Sequence, residues 1–132
     1  MLSVSPALFF ATLNISFTGI SEPKGSIYVA VFDRKEAFLN TEKVCAKRIV
    51  QVGSDGAASV SLADLPPGTY AVSCFHDLNG NGRLDKNWAG IPTEPYGFSN
   101  NARPKFRAPN WDEARFDLRA EGGSISIHLA KW

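Results

Sequence analysis

Leu65-Pro66-Pro67-Gly68-Thr69-Tyr70-Ala71-Val72-Ser73-Cys74-Phe75 runs without a break into His76-Asp77-Leu78-Asn79-Gly80-Asn81-Gly82-Arg83-Leu84-Asp85. Two prolines and a glycine make a rigid turn, and the residues from Thr69 to Phe75 are of the kind that fill a pleated surface. That strand enters a stretch in which oxygen-bearing side chains recur at every second place: Asp77, Asn79 and Asn81, with Gly82 directly after and Asp85 following. This is the front half of a calcium loop, where alternate residues turn oxygens inward and the glycine permits a sharp turn. Arg83 would lend its carbonyl, and Leu84 would anchor the loop to a core. The closing position, which in such loops grips the ion with two carboxylate oxygens, holds Trp88. Glu94 is the expected replacement, brought back over the site by the following segment, with Asp64 a weaker candidate. The competing reading is a hydrogen-bonded turn, with Asp77 and Asn79 bonded to local backbone.

Working outward, Thr12–Ile20 alternates, with Leu13, Ile15 and Phe17 on one side, as a half-buried strand does. Ser26–Phe32 is apolar almost throughout, which predicts a central strand covered on both faces. Lys43–Val52 and Ala57–Leu62 read as further strands, separated by a Ser-Asp-Gly turn. Phe38 and Leu39 are expected to tuck down the polar connection before them. From Lys86 to Arg107 no period is visible, and a structureless stretch of that length in a small domain is often functional. Asn110 can cap a single helical turn ending at Ala114. Phe116–Leu118 and Ser124–Ala130 complete a set of seven strands. Turn signals between short strands, with no amphipathic helix, point to an all-β, seven-stranded antiparallel sandwich with one long ordered loop.

The chain has 132 residues, with fourteen basic and thirteen acidic side chains. That length suits one domain spanning 1–132. The near-neutral balance gives no footprint for nucleic acid or an anionic membrane. Residues 1–11 read as a disordered or vestigial signal segment: apolar, without a basic start, and interrupted by Pro6. No stretch is long enough for a membrane-spanning helix. Cys45 and Cys74 could form one disulfide or remain two thiols.

Several blocks together resemble a family of small bacterial proteins of unknown function: Gly25–Phe32, Leu65–Val72, His76–Asp85 and Gly90-Ile-Pro-Thr-Glu-Pro-Tyr-Gly-Phe-Ser-Asn-Asn-Ala102. The resemblance covers nearly all of the chain after Leu13. It implies a transthyretin-like (prealbumin-like) Greek-key sandwich and an exported protein, although the chain as written opens without an intact signal peptide. Pro104-Lys105 and Arg107 stand where the family pattern would have a glycine-containing turn. The family carries no settled activity.

Three functional readings follow. The first is a non-enzymatic binding or structural module, with calcium as its cofactor on Asp77, Asn79, Asn81, Arg83, Asp85 and Glu94, and a protein or glycan partner. The second is a hydrolase or metal-dependent enzyme using His76 and the nearby acids. Cys74 and His76, two apart on a strand, share a face and could form a thiolate–imidazole pair, against the plainer reading of a core thiol and a buried histidine. The third is a carbohydrate-binding module, with Trp88, Tyr96, Phe98, Asn100, Asn101 and Trp111 (Arg103 beside them) lining a groove, against the plainer reading of a satellite core. An enzyme needs a histidine that water can reach, whereas a structural loop buries it.

Overall fold

A computed structural model describes residues 10–132. The leader segment expected at residues 1–11 therefore falls mostly outside the described residues, but its last residue, Ala11, already opens a strand and is buried. The described chain forms eight strands: β1 (Ala11–Thr18), β2 (Ser26–Phe32), β3 (Ala46–Gln51), β4 (Ser59–Leu65), β5 (Gly68–Asp77), β6 (Tyr96–Phe98), β7 (Phe116–Leu118) and β8 (Gly123–His128), with one α-helical turn, α1 (Trp111–Ala114), and three short 3-10 turns. The strand beyond the expected seven is β6, inside the segment that shows no period.

Two sheets result. One has the order β4-β1-β8; the other has β3-β2-β5, with β6 and β7 end to end along the far edge of β5. β1 and β8 pair in parallel, which corrects the expectation of an antiparallel sandwich throughout. The parallel pair needs no helical crossover in its own sheet, because the chain passes through the other sheet before returning as β8.

Alternation decides which side chains meet between the sheets. Leu13, Ile15 and Phe17 of β1, Leu62 of β4 and Ile127 of β8 face Ile27, Val29 and Val31 of β2 and Val72 and Cys74 of β5. Burying each of the larger aliphatic side chains contributes about 1.5–3 kcal/mol. Along one side the sheets are sewn together. Tyr96 N donates to Ala130 O at 3.0 Å and Ala130 N donates to Tyr96 O at 3.1 Å. Arg103 covers this seam, donating to the Tyr96 and Ala130 carbonyls and lying 4.2 Å from the centre of the Tyr96 ring.

The cap reading for α1 holds in full. Asn110 Oδ1 accepts from Glu113 N at 3.0 Å, and Glu113 Oε1 accepts from Asn110 N at 2.9 Å. Phe38 packs edge-on between Phe32 and Trp111, as expected, whereas Leu39, at a φ of 66°, is left exposed and does not tuck down with it. In the turn where a glycine was expected, Phe106 takes a φ of 66°, so the chain keeps the left-handed turn and puts an aromatic residue in it.

Candidate functional site

The loop that follows β5 is held by carboxylates, and their partners are N–H groups. Asp77, in the last place of β5, is buried; its Oδ1 accepts from Gly80 N at 3.0 Å and its Oδ2 from Gly82 N at 2.8 Å. Gly82 has a φ of 77°, the conformation that lets the backbone turn its amide back to Asp77. Asn79 Oδ1 accepts from Asn81 N, and Asn81 Oδ1 accepts from Arg83 N at 3.1 Å. Both amide nitrogens then converge on Asp85, Asn79 Nδ2 on one carboxylate oxygen and Asn81 Nδ2 on the other.

Glu94 does return to the loop, as expected from sequence, but it clasps backbone. Its side chain is buried, with Oε2 accepting from Leu78 N at 2.7 Å and Oε1 from Asp85 N at 3.0 Å. It thereby ties the entry of the loop to its exit. Asp64 stands elsewhere, on β4, paired with Arg48 at 3.2 Å. Among the described residues, no three Asp, Glu, His or Cys side chains are arranged to hold a metal ion. Leu84 is half-buried beside the loop.

His76 is 0% exposed, on the core side of β5 opposite Ile27. Its Nε2 lies 2.6 Å from the Lys24 carbonyl, and its Nδ1 has no partner. The enzyme reading relied on this histidine, and the structure encloses it. Cys74 sits beside it in the core and donates weakly to Gly97 O, so the two do not form a pair.

The proposed sugar groove is not assembled from the residues named for it. Trp88 is 98% exposed at the tip of a small hairpin, where Asn87 Oδ1 accepts from Ala89 N and Ile91 N. Trp111 is packed on Phe38. Asn100 donates to the carbonyls of Glu113 and Arg115, and Asn101 Oδ1 accepts from His128 N, so both amides are engaged with backbone. Tyr96 and Phe98 do belong to a groove, a different one.

That groove lies over the outer face of the larger sheet, with a volume of about 1020 Å³. β2, expected to be covered on both faces, is covered on one: Ile27, Val29 and Val31 are core, while Tyr28 and Ala30 floor the groove. Register sets the floor. One cross-strand ladder reads Ile49, Tyr28, Phe75, Tyr96, and the next reads Lys47, Ala30, Ser73, Phe98. The first is nearly all aromatic, with Tyr28 and Phe75 stacked at 5.1 Å and 10°. The second has two small residues at its centre, which makes the depression. Leu39 and Val44 wall one side, and Gly82–Leu84 of the clasped loop wall the other. Sequence reading missed Tyr28, Ile49 and Phe75. The available signal was Ile49, an aliphatic residue on the otherwise polar face of β3 and 60% exposed.

The cysteines are two free thiols, Cys45 at the surface before β3 and Cys74 in the core. Desolvation, with the Asp33 carboxylate nearby, pushes the Cys45 thiol up to about 11, and burial pushes Cys74 up to about 12. The thiolate is the reactive form. At pH 8 the native protein should therefore react with iodoacetamide far more slowly than free cysteine does, and both thiols should react in urea. Rapid native labelling at Cys74 would show that the core opens.

No curated protein and no solved structure matches the chain. A family model does match it over residues 15–126, which is most of its length. The clasped loop, the groove floor and β2 to β7 thus fall within the matched span, which also takes in part of β1 and of β8, and the chain belongs to the family described as an uncharacterized protein conserved in bacteria (DUF2141).

Proposed function

We propose that the protein is a non-enzymatic binding module whose ligand lies in the groove on the outer face of the larger sheet. The observation that carries this reading is the half-buried aromatic ladder Tyr28–Phe75–Tyr96, covered by no further layer except where Arg103 lies on Tyr96, beside the shallow Ala30–Ser73 centre. Strands of this composition are normally covered by another layer, so an open face of stacked aromatics has surface to offer a small apolar molecule. The clasp serves the groove by fixing the wall at Gly82–Leu84. The transthyretin-like likeness belongs to the same reading, supported by the two-sheet architecture and the sequence blocks given above, and so does an exported setting, which rests on the resemblance of those blocks alone.

The test is a fluorescence titration with N-phenyl-1-naphthylamine, a neutral dye that brightens in apolar sites. The wild type should bind it, and Ser73→Trp, which fills the floor centre from the outer, half-buried face of the sheet, should lose binding while still unfolding in one cooperative melt. Equal binding by both proteins would place the dye elsewhere and overturn the reading.

Calcium is the second reading, favoured by the spacing of Asp77, Asn79, Asn81 and Asp85 and by the two amides meeting at Asp85. A half-turn of each amide would direct Asn79 Oδ1 and Asn81 Oδ1 inward beside Asp85, with the Arg83 carbonyl, while Glu94 keeps its backbone bonds. Such a site would be weak, with a Kd on the order of 10⁻⁵ to 10⁻³ M. Melting in chelator and then in millimolar calcium tests it: binding predicts a gain of about 1–3 kcal/mol in the wild type that is absent in Asp85→Ala. Identical melting in both buffers would leave the loop a hydrogen-bonded clasp.

A further inference from the structure

We infer that the ligand of this groove is a flat apolar molecule carrying an anionic group, such as an aromatic carboxylate, sulfonate or phosphate. This rests on reading the groove as the binding surface. The charged side chains on its walls and edges are those of Lys47, Arg83 and Lys86, all cationic, with no carboxylate among the lining residues. Arg48, in register with core Val29, turns its side chain to the other face of the sheet and to Asp64, and among the described residues Lys47, Arg83 and Lys86 form no ion pair. The chain as a whole is almost neutral, at a formal +1, so this one-signed rim is a local arrangement.

The cations also stand at both sides of the floor. Lys47 ends the ladder of small residues on the β3 side, in register with Ala30. Arg83 and Lys86 come from the clasped loop, which lies against Tyr28: a methyl group added at Gly82 would be 3.5 Å from the Tyr28 hydroxyl. Between them, the Tyr28 and Phe75 rings stack against each other with centres 5.1 Å apart and offer the groove a ridge of ring edges, on which the face of an aromatic or fused-ring body can pack edge-to-face. A planar molecule lying across those ring edges places a substituent at its own edge within the field of these side chains. An anion is stabilised there and a cation is repelled.

Two dyes separate the charge from the apolar body: 8-anilinonaphthalene-1-sulfonate, and the neutral N-phenyl-1-naphthylamine that lacks its sulfonate. Each is titrated at low salt into the full chain, into Ser73→Trp and into the triple variant Lys47→Gln/Arg83→Gln/Lys86→Gln. The wild type should prefer the sulfonate by roughly tenfold, the sum of three modest rim interactions. In the triple variant the preference should fall to within about threefold while neutral-dye binding persists. Ser73→Trp should lose both dyes. Equal affinities in the wild type would overturn the anion inference and leave the groove standing as a binding site. A sulfonate preference that survives in the triple variant would overturn it as well. Absence of both dyes from the wild type, or binding indifferent to Ser73→Trp, would overturn the groove reading itself.

Discussion

Glu94→Ala is expected to lower the stability of the folded chain by about 3 kcal/mol, from two lost charge-assisted hydrogen bonds to a buried carboxylate. The size follows from position. Glu94 is 5% exposed, and its two oxygens hold Leu78 N and Asp85 N, the two ends of the loop. Removing it leaves two amide donors without an acceptor, and it frees eight residues of chain from Leu78 to Asp85. Glu94→Gln is no harmless control. A carboxamide has one oxygen, so it would turn a second donor toward one of the two amides. Its loss should be at least half that of the alanine variant. Urea unfolding gives the totals, and amide exchange at Leu78 and Asp85 gives the local part. Native-like protection of both amides in Glu94→Ala would show that the clasp is dispensable.

The second large effect is expected at the seam, from Gly97→Ala. A methyl group on Gly97 would stand 2.6 Å from His128 O and 2.8 Å from Ile127 Cγ2. Both neighbours are fixed, one as backbone and the other inside the core, so the strands must separate. Forcing one carbon into a close-packed site typically costs about 1–3 kcal/mol, and here the upper end applies because backbone is displaced. The displaced contact is the Tyr96–Ala130 exchange that joins the sheets. Denaturant melts give the loss. A melting temperature equal to that of the wild type would mean the seam yields without cost.

Much of this molecule was legible from its residues. Alternation identified β1 and β8, Asn110 announced the cap of α1, and Glu94 was identified as the residue that returns to the loop. What it bonds was not legible, because the spacing of oxygens is the same whether they face a cation or their own amides. β6 was missed because three residues are too short for a period to show; the open edge of β5 makes it a strand. The groove was missed for a related reason. Aromatic residue types drew attention to Trp88 and Trp111, but a binding face is composed across three or four strands. Only the register that sets Tyr28 beside Phe75 and Tyr96 brings its members together. Asn100 and Asn101, with φ of 60° and 51°, are turn formers whose amides complete backbone bonds.

The stitched side of the sandwich also sets how the molecule can breathe. With the sheets bound at Tyr96 and Ala130, that side is the spine of a book, and the opposite side, where β3 faces β4, is its fore-edge. The fore-edge is clipped by the exposed Arg48–Asp64 pair, a contact worth little in salt water. Fluctuations should therefore grow from spine to fore-edge, with amides of β3 exchanging through small openings and those of β5 only through global ones. The groove floor spans that gradient, so one end is a rigid plate at Tyr96 and the other a pliable lip at Ile49 and Lys47. A ligand seated across it would still the lip and close the book.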